Sequence, residues 1–233
     1  MISVCIATYN GEQFIADQLK SILTQLSPDD EVVVSDDHST DQTLSVVHSL
    51  HSPIIKIVKN KGEHGYTSNF ENALRHAHGD VIFLSDQDDI WSPNKVSRCL
   101  EHLKQYDMVI SDAQIVDEHG EKIADSYFKE RGSRKGFANN LIRFSYLGCS
   151  MAFRREILSK ALPFPANHRY CTHDNWLGIV GYAFFKVLVT DEKLFFYRRH
   201  SSNTSKGGLE KTTSFWFKVC YRLYLIKWLL RRI

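Results

Sequence analysis

Three aspartates follow a short apolar segment near the middle of the chain. Asp86, Asp88 and Asp89 come directly after residues 81–84, in the run Leu-Ser-Asp-Gln-Asp-Asp-Ile-Trp. On extended backbone the side chains of Asp86 and Asp88 point to the same side, because side chains alternate with a period of two. Neighbouring carboxylates repel one another unless a cation lies between them, and oxygen ligands favour Mg²⁺ or Mn²⁺. The pattern predicts a metal site at a strand end; the alternative is a solvated acidic turn.

A second pair of carboxylates and a tight turn occur earlier in the chain. Asp36 and Asp37 end another apolar segment, where an acceptor can take a hydrogen bond from a base or ribose. The first apolar segment ends in Thr-Tyr-Asn-Gly-Glu at residues 8–12, and Asn10 with Gly11 fits a tight turn. Tyr9 can stack on a base or pack as an aromatic lid, and both interpretations stay open.

Alternating strands and helices are predicted to position these residues. Strands are expected at residues 2–7, 31–35, 54–58 and 81–85, and helices at 12–25, 40–50, 69–78 and 93–105. This order indicates a parallel sheet with helices on both faces, in which ligands bind at the carboxyl ends of the strands. Three helix starts are predicted from capping patterns, namely Ser39-x-x-Gln42, Ser68-x-x-Glu71 and Ser92-Pro93.

The second half of the chain is less regular. Residues 125–136 are charged and punctuated by glycine, so we expect a mobile or poorly packed loop there. Beyond it we expect a strand at 150–153, a helix at 174–182, and strands at 186–190 and 194–198. Residues 212–233 mix aromatic, apolar and basic side chains. That tail fits a helix in a membrane interface, or one packed on the domain body or a second subunit.

Composition limits the class of protein. The 233 residues suffice for one α/β domain, and a net charge of +2 argues against an extended nucleic-acid surface. Five scattered cysteines without a Cys-x-x-Cys pair predict free thiols. The first residues carry no secretory signal pattern, and no apolar run reaches the length of a spanning helix, so a cytoplasmic location is expected. Patterns typical of P-loops, serine hydrolases and zinc peptidases do not occur.

The ordered set of motifs resembles the family-2 glycosyltransferases, and within them the bacterial rhamnosyltransferase-like enzymes of surface-polysaccharide assembly. The resemblance covers nearly the whole chain and includes residues 7–12, 34–41, 84–91, 148–153, 173–176 and 197–203. It implies the α/β GT-A fold, with a Rossmann-like mixed central sheet, helices on both faces and a C-terminal amphipathic helical tail. Residues 1–210 would form the glycosyltransferase domain, with a nucleotide-sugar-binding half at 1–110 and an acceptor-binding half at 111–210. Residues 211–233 would form the aromatic and basic helix.

The resemblance also implies roles in donor binding. The residues expected around the nucleotide are Thr8, Tyr9 and Glu12 lining its pocket, Asp36 on the uracil or thymine ring, and Asn60 and Asn69 near the base or ribose.

Further roles concern the reacting groups. Asp86 would contact the ribose or sugar, Asp88 would bind Mn²⁺ or Mg²⁺, and His200 would approach the metal or diphosphate. Asp174 resembles the catalytic base, although the first helical turn alone also explains an aspartate there. Many family members carry Glu-Asp at this point, whereas this chain has His173-Asp174, which leaves His173 without a role.

The expected function is therefore metal-dependent, inverting transfer of a sugar from a UDP- or dTDP-sugar to a saccharide acceptor in polysaccharide, O-antigen or capsule synthesis. A lipid-linked acceptor at the cytoplasmic face of the inner membrane fits the tail, and homo-oligomer formation stays open. Two alternatives are a nucleotidyltransferase, although residues 8–12 lack the basic glycine-rich loop, and an inactive sugar-nucleotide-binding scaffold. The set of Asp86, Asp88, Asp174 and His200 argues against the scaffold.

Overall fold

Nine strands form one mixed sheet over residues 1–201, 203 and 214–233, which the computed structural model describes. The strands are β1 (Ile2–Thr8), β2 (Glu31–Asp36), β3 (Ile55–Lys59), β4 (Val81–Ser85), β5 (Ile90–Trp91), β6 (Met108–Asp117), β7 (Lys122–Ala124), β8 (Met151–Arg154) and β9 (Val187–Arg199). The helices are α1 (Ile15–Leu23), α2 (Thr43–Ser49), α3 (Tyr66–His76), α4 (Lys95–His102), α5 (Tyr127–Arg131), α6 (Phe137–Ile142), α7 (Leu158–Ala161), α8 (His173–Phe184) and α9 (Phe215–Leu230).

The sheet combines a parallel half with a mixed half. Its order is β3-β2-β1-β4-β8-β6-β9-β5, with β7 attached to β6. β1 to β4 pair in parallel, β8 runs antiparallel to β4 and β6, and β6 and β9 pair in parallel. Thr8 pairs with Asp36, and Asp36 pairs with Lys59. The loops that follow these parallel strands therefore lie at one edge of the sheet.

Buried apolar side chains cover both faces of the sheet, as the alternation along its strands requires. Val4 and Ile6 on β1 pack on the face that α1, α2 and α4 cover. Cys5 and Val33 pack on the opposite face, where α3, α8 and α9 contribute to the core. The predicted α/β architecture with helices on both faces is confirmed.

All three predicted helix starts are wrong. α2 begins at Thr43, α3 begins two residues before Ser68, and α4 begins two residues after Pro93. The two serines of the supposed capping boxes bind distant loops instead: the Ser39 hydroxyl accepts a hydrogen bond from the Asn10 amide, and the Ser68 hydroxyl donates to Asn60. A capping box does occur at α8, between Thr172 and Asn175.

The second half also differs from the expectation. β6, which lies between β8 and β9, was not predicted, and the two strands expected at 186–190 and 194–198 form the single strand β9. The loop expected at residues 125–136 contains α5, so that prediction is wrong. The Ser126 hydroxyl caps this helix, Tyr127 is buried, and Gly132 ends it with a φ of 63°.

The C-terminal helix packs on the domain body. Leu225 and Leu229 of α9 are buried in the same core cluster as Trp176 and Leu177 of α8. None of the helices that the structure describes has the length and apolarity to cross a bilayer. The predicted boundary at residue 210 lies outside the described residues, and the division into two halves stays a prediction.

Candidate active site

A cleft lies at the carboxyl ends of the parallel strands. Its walls come from the loops that follow β1 to β4, from Leu147 and Gly148, and from the first turn of α8. Six of the ten predicted site residues line it, namely Thr8, Tyr9, Asn69, Asp86, Asp88 and Asp174. The parallel register brings the first five together, whereas Asp174 arrives from the distant second half of the sequence.

The other four predicted residues lie around the cleft rather than on its wall. Glu12 accepts a hydrogen bond from the Gln42 amide at 2.7 Å, and Asn60 is buried behind the wall. Asp36 is buried and accepts from the backbone amides of His38 and Ser39 at 3.2 Å. His200 contacts Asp88, which itself lines the cleft. The donor contacts predicted for Glu12, Asp36 and Asn60 stay predictions.

Asp37, the residue after Asp36 in the sequence, lies on the cleft wall, although sequence reasoning did not select it as a site residue. Its carboxylate accepts hydrogen bonds from Asn60 Nδ2 and from the Gly65 amide, both at 2.7 Å. His64 Nδ1 lies 3.0 Å from the same carboxylate, and the rings of His64 and Tyr9 meet edge to face at 4.8 Å. Asp37 therefore joins the loops after β2 and β3, and Tyr9 extends this wall.

Gln87 connects the loop after β4, which carries the aspartates, to the loop after β1. Its Oε1 accepts hydrogen bonds from Thr8 Oγ1 at 2.6 Å and from the Tyr9 amide at 2.9 Å, and its Nε2 donates to the Tyr9 carbonyl at 3.1 Å. A Cβ on Gly11 would lie 2.3 Å from Gln87 Oε1, so the glycine leaves room for the Gln87 amide in this position. Sequence reasoning did not select Gln87. Its position between Asp86 and Asp88 was the feature of the sequence that could have pointed to it.

The aspartates after β4 form a crowded, partly buried group. Burial and the Asp88 carboxylate raise the pKa of Asp86 to about 7, and burial with the same neighbour raises the pKa of Asp89 well above its usual range. Ligand atoms of Asp86, Asp89 and Cys149 lie within 4.8 Å of one another. Burial raises the pKa of the Cys149 thiol, and sulfur is a softer ligand than Mg²⁺ or Mn²⁺ prefers, so the carboxylates are the better ligands for such an ion. Crowded, repelling carboxylates fit a hard divalent cation.

His200 and Asp88 meet directly. His200 Nε2 lies 2.9 Å from Asp88 Oδ2, and Asn203 Nδ2 donates to the same oxygen at 3.1 Å. The His200 ring packs against Phe14 with centroids 4.4 Å apart. An imidazole nitrogen and a carboxylate oxygen at this separation can share one ion, so the pair fits the predicted metal ligands.

Asp174 reaches the cleft from the start of α8. Its Oδ1 accepts hydrogen bonds from the Thr172 hydroxyl and, at 2.7 Å, from the Asn175 amide. Its charge contributes to the raised pKa of Asp86, which lines the same cleft. Asp174 is thus a cleft carboxylate from α8, in addition to Asp86 and Asp88 from the group after β4.

Family comparison agrees with this geometry. The model of glycosyl transferase family 2 matches residues 3–162. The chain belongs to that family, and it is a glycosyltransferase. The dTDP-rhamnosyl transferase RfbG of Shigella flexneri is 28% identical over 221 residues, which cover 85% of this chain and 72% of RfbG. The UDP-Glc:alpha-D-GlcNAc-diphosphoundecaprenol beta-1,3-glucosyltransferase WfgD of Escherichia coli is 25% identical over 180 residues, covering 77% of this chain and 70% of WfgD.

Solved structures share the fold. The S. aureus TarS 1–349 complex with UDP-GlcNAc superposes with a TM-score of 0.70 at 21% identity, over 87% of this chain and 59% of that one. The mannosyltransferase PcManGT from Pyrobaculum calidifontis, in complex with GDP-Man and Mn²⁺, gives a TM-score of 0.63 at 22% identity, over 84% and 56%. The chain spans less than two thirds of both solved chains, and these likenesses establish the GT-A fold.

Proposed function

We propose that this glycosyltransferase uses Mn²⁺ or Mg²⁺ to transfer a sugar, with inversion, from a UDP- or dTDP-sugar to a saccharide acceptor. The observation that carries the proposal is the meeting of Asp86 and Asp88 with Asp174 in one cleft at the carboxyl ends of the strands. Transfer needs a place for an anionic leaving group and a base for the acceptor, and these two sides of the cleft supply them.

The nucleotide would bind between the loops after β1, β2 and β3. Tyr9 is 44% exposed on the cleft wall, where its ring can stack on a base. We assign the base contact to Asp37, because its carboxylate lines the cleft while that of Asp36 is turned into its own loop. Asn69 is anchored by its donation to the Thr8 carbonyl, and its Oδ1 is buried without a hydrogen-bond partner, free for a ribose hydroxyl.

Asp88 and His200, with Asp86 beside them, would hold the divalent ion. When bound, that ion neutralises the charge that develops on the departing diphosphate. Burial, and after it the charge of Asp88, raises the pKa of Asp86 to about 7, and a cation between these carboxylates would favour their ionised forms.

Asp174 would take the proton from the acceptor hydroxyl as that oxygen attacks the anomeric carbon. The hydrogen bonds from Thr172 and Asn175 fix one carboxylate oxygen, which orients the group towards the cleft. Asp174 comes from α8 and the proposed metal-binding aspartates come from the loop after β4, so the base and the ion would be held by separate elements, as a single displacement with inversion requires. A positioned base of this kind contributes about 10²- to 10⁴-fold to the rate.

The acceptor is proposed to be a lipid-linked saccharide. WfgD acts on a diphosphoundecaprenol-linked sugar, and RfbG is a dTDP-rhamnosyl transferase. α9 supports a membrane-bound substrate, because its side away from the body carries an exposed apolar stripe: Phe215, Trp216, Leu223, Ile226 and Leu230. At 100° per residue these positions span an arc of about 100°. Residues 214–233 contain five Lys or Arg and no Asp or Glu, which suits an anionic bilayer at the cytoplasmic face.

A nucleotide-release screen tests this function. The protein with Mn²⁺ or Mg²⁺ is offered UDP-, dTDP- and GDP-sugars, beside Asp88→Asn, Asp174→Asn and the control Asp191→Asn, whose side chain is 84% exposed. We expect release of UDP or dTDP from one sugar, abolished by EDTA and by Asp88→Asn. Asp174→Asn should lower kcat by about 10²- to 10⁴-fold while donor binding persists.

Other outcomes point to other functions. Pyrophosphate production from a nucleoside triphosphate would favour a nucleotidyltransferase. If neither the wild type nor a variant shows turnover while metal-dependent donor binding persists in Asp174→Asn, a saccharide acceptor is missing, and the screen is repeated with a panel of acceptors. Absence of metal-dependent binding to every donor would contradict the proposal, and donor binding that needs no metal and gives no turnover would favour the scaffold.

A further inference from the structure

His173 is a buried histidine on the cleft wall. It begins α8, immediately before Asp174, and is 6% exposed. Its ring stacks on Phe70 with centroids 4.1 Å apart and meets the edge of Tyr66 at 5.7 Å. A Cβ on Gly148 would lie 2.1 Å from His173 Nε2, so the glycine makes room for the ring. Two residues of α3 and the segment at Gly148 thus surround the imidazole beside the carboxylate proposed as the base.

Neither ring nitrogen of His173 has a hydrogen-bond partner in the structure. An unsatisfied buried polar atom costs about 1–3 kcal/mol, and such groups in native proteins need an explanation. A purely structural position next to Phe70 and Tyr66 would favour an aromatic side chain without polar atoms. Burial lowers the pKa of His173, so the ring is neutral near neutral pH, with one nitrogen that donates and one that accepts.

We propose that His173 binds a hydroxyl group of the sugar substrate and contributes to sugar specificity. The inference rests on the proposed function, because the hydroxyl belongs to the donor sugar or the acceptor in that cleft. A neutral imidazole matches a hydroxyl, which donates and accepts in the same way. The ring also adjoins Asp174 and faces the cleft that contains Asp86, where both sugars must meet.

Tyr66 controls access to the imidazole. Its side chain lines the cleft and is 43% exposed, while its edge lies against the His173 ring. Displacement of this exposed ring would open the imidazole to the cleft. A sugar that displaces the Tyr66 edge would pair the buried nitrogen and contact two aromatic faces.

The test compares His173→Phe with His173→Asn and His173→Gln. Phenylalanine preserves the stacking on Phe70 and removes both polar atoms, whereas asparagine and glutamine place an amide near Nδ1 and Nε2, respectively. His76→Phe, at an exposed position on α3, is the matched control. Calorimetry measures the binding of UDP and dTDP and of UDP-glucose and dTDP-rhamnose, and turnover gives the acceptor KM once a donor is found.

We expect His173→Phe to leave the binding of the free nucleotide within about twofold of wild type. It should weaken the nucleotide-sugar by about 10- to 100-fold if the donor supplies the hydroxyl, or raise the acceptor KM by that factor if the acceptor does. One of the two amide variants should recover part of the loss.

Two results would overturn the inference. A His173→Phe protein with wild-type donor binding and wild-type acceptor KM shows that the imidazole only packs. Equal weakening of nucleotide and nucleotide-sugar, with a lowered Tm and no recovery in either amide variant, shows a structural role. The same calorimetry measures metal-dependent binding of UDP and dTDP to the wild-type protein. If the wild type binds neither nucleotide, the proposed function fails, and this result is distinct from a failure of the His173 inference.

Discussion

At the residue scale, a buried lysine compensates the acidic group after β4. Lys95 is 0% exposed, and its Nζ donates to the Cys149 carbonyl at 2.8 Å. The same nitrogen lies 4.5 Å from the Trp91 ring centroid and 4.4 Å from that of Phe195. Burial lowers the pKa of Lys95, and the charges of Asp89 and Asp86 act in the opposite direction. The cation therefore lies behind the group whose open side faces the cleft.

Replacing this cation should destabilise the protein. In Lys95→Met the methionine fills the space between the rings, yet Asp86, Asp89 and the Cys149 carbonyl lose their buried positive partner. We expect a loss of about 3 kcal/mol in the free energy of unfolding, measured by urea denaturation. Lys104→Met is the control, because Lys104 and its partner Glu101 are 69% and 58% exposed, and it should cost less than about 1 kcal/mol. Equal stability of both variants would contradict this role of Lys95.

Two adjacent aspartates show what sequence patterns leave open at the site. Asp36 ends β2 and Asp37 follows it, and the backbone turn at His38, with a φ of 68°, lets Asp36 accept the amides of its own loop. Asp37 is left to line the cleft. The choice between two adjacent aspartates depends on this local turn, which no spacing rule predicts.

At the element scale, α9 has two apolar faces with different surroundings. Leu225 and Leu229 are buried on the domain body, whereas Phe215, Trp216 and Leu230 are 71%, 73% and 65% exposed. Basic residues border the exposed stripe on both sides, with Lys218 and Arg222 along one side and Lys227 and Arg231 along the other. Packing on the body and contact with a membrane are therefore compatible in one helix, although the sequence presented them as alternatives.

Removing the exposed stripe should weaken membrane binding without unfolding the domain. For the triple variant Phe215→Ser, Leu223→Ser and Ile226→Ser, we expect at least tenfold weaker co-sedimentation with vesicles containing phosphatidylglycerol, because each buried apolar side chain contributes about 1.5–3 kcal/mol. Vesicles of phosphatidylcholine alone should bind both proteins weakly. Ile123→Ser, at a 59% exposed position on β7, is the control.

Two outcomes would contradict the assignment of the exposed stripe to a membrane. If the wild-type protein does not sediment with anionic vesicles, the membrane assignment fails. If gel filtration shows a dimer that the triple variant loses, the stripe joins two copies of the chain instead.

The elements of the first half could be predicted because their apolar segments are short, continuous and separated by helical patterns. β6 was missed because its apolar residues are interrupted by Ser111, Asp112 and Gln114. Asp112 is nevertheless buried, and its carboxylate accepts from the Ser126 hydroxyl and the Phe128 amide. A buried, fully bonded aspartate in a strand requires partners from a distant loop, which local sequence does not reveal.

At the scale of the whole molecule, the two halves of the sheet supply different parts of the cleft. The parallel strands β1 to β4 provide the loops with Tyr9, Asp37 and Asp88, and the mixed half provides β9 and α8 with Asp174. The first half could be predicted from its order of elements alone. The approach of α8 to the acidic group could be inferred from family resemblance only, because the strand expected at 150–153 does not reveal that β8 pairs antiparallel with both β4 and β6.

One buried carboxylate connects the strands in the parallel half of the sheet. Glu31, on β2, is 2% exposed; it accepts hydrogen bonds from Ser3 Oγ on β1 at 2.6 Å and Lys56 Nζ on β3 at 2.7 Å. The His78 amide, just before β4, donates to the same carboxylate. Burial acts to raise the pKa of Glu31, but these hydrogen bonds outweigh it and lower the pKa to about 2. One ionised side chain thus connects the four segments whose loops form the cleft.

Glu31→Gln should therefore change the acid stability of the whole fold. The folded pKa of Glu31 is below its ordinary value of 4.5, so its charge stabilises the protein fully above pH 4.5, and this contribution is lost as the pH falls towards 2. We expect the variant to be about 1–3 kcal/mol less stable at pH 7, by urea denaturation, with a difference from wild type that narrows between pH 4.5 and pH 2. Glu118→Gln, at a side chain that is 47% exposed, should match wild type within about 0.5 kcal/mol at each pH. A deficit in Glu31→Gln that stays constant with pH would show that the amide disturbs packing, and that the charge of Glu31 does not hold the four segments together.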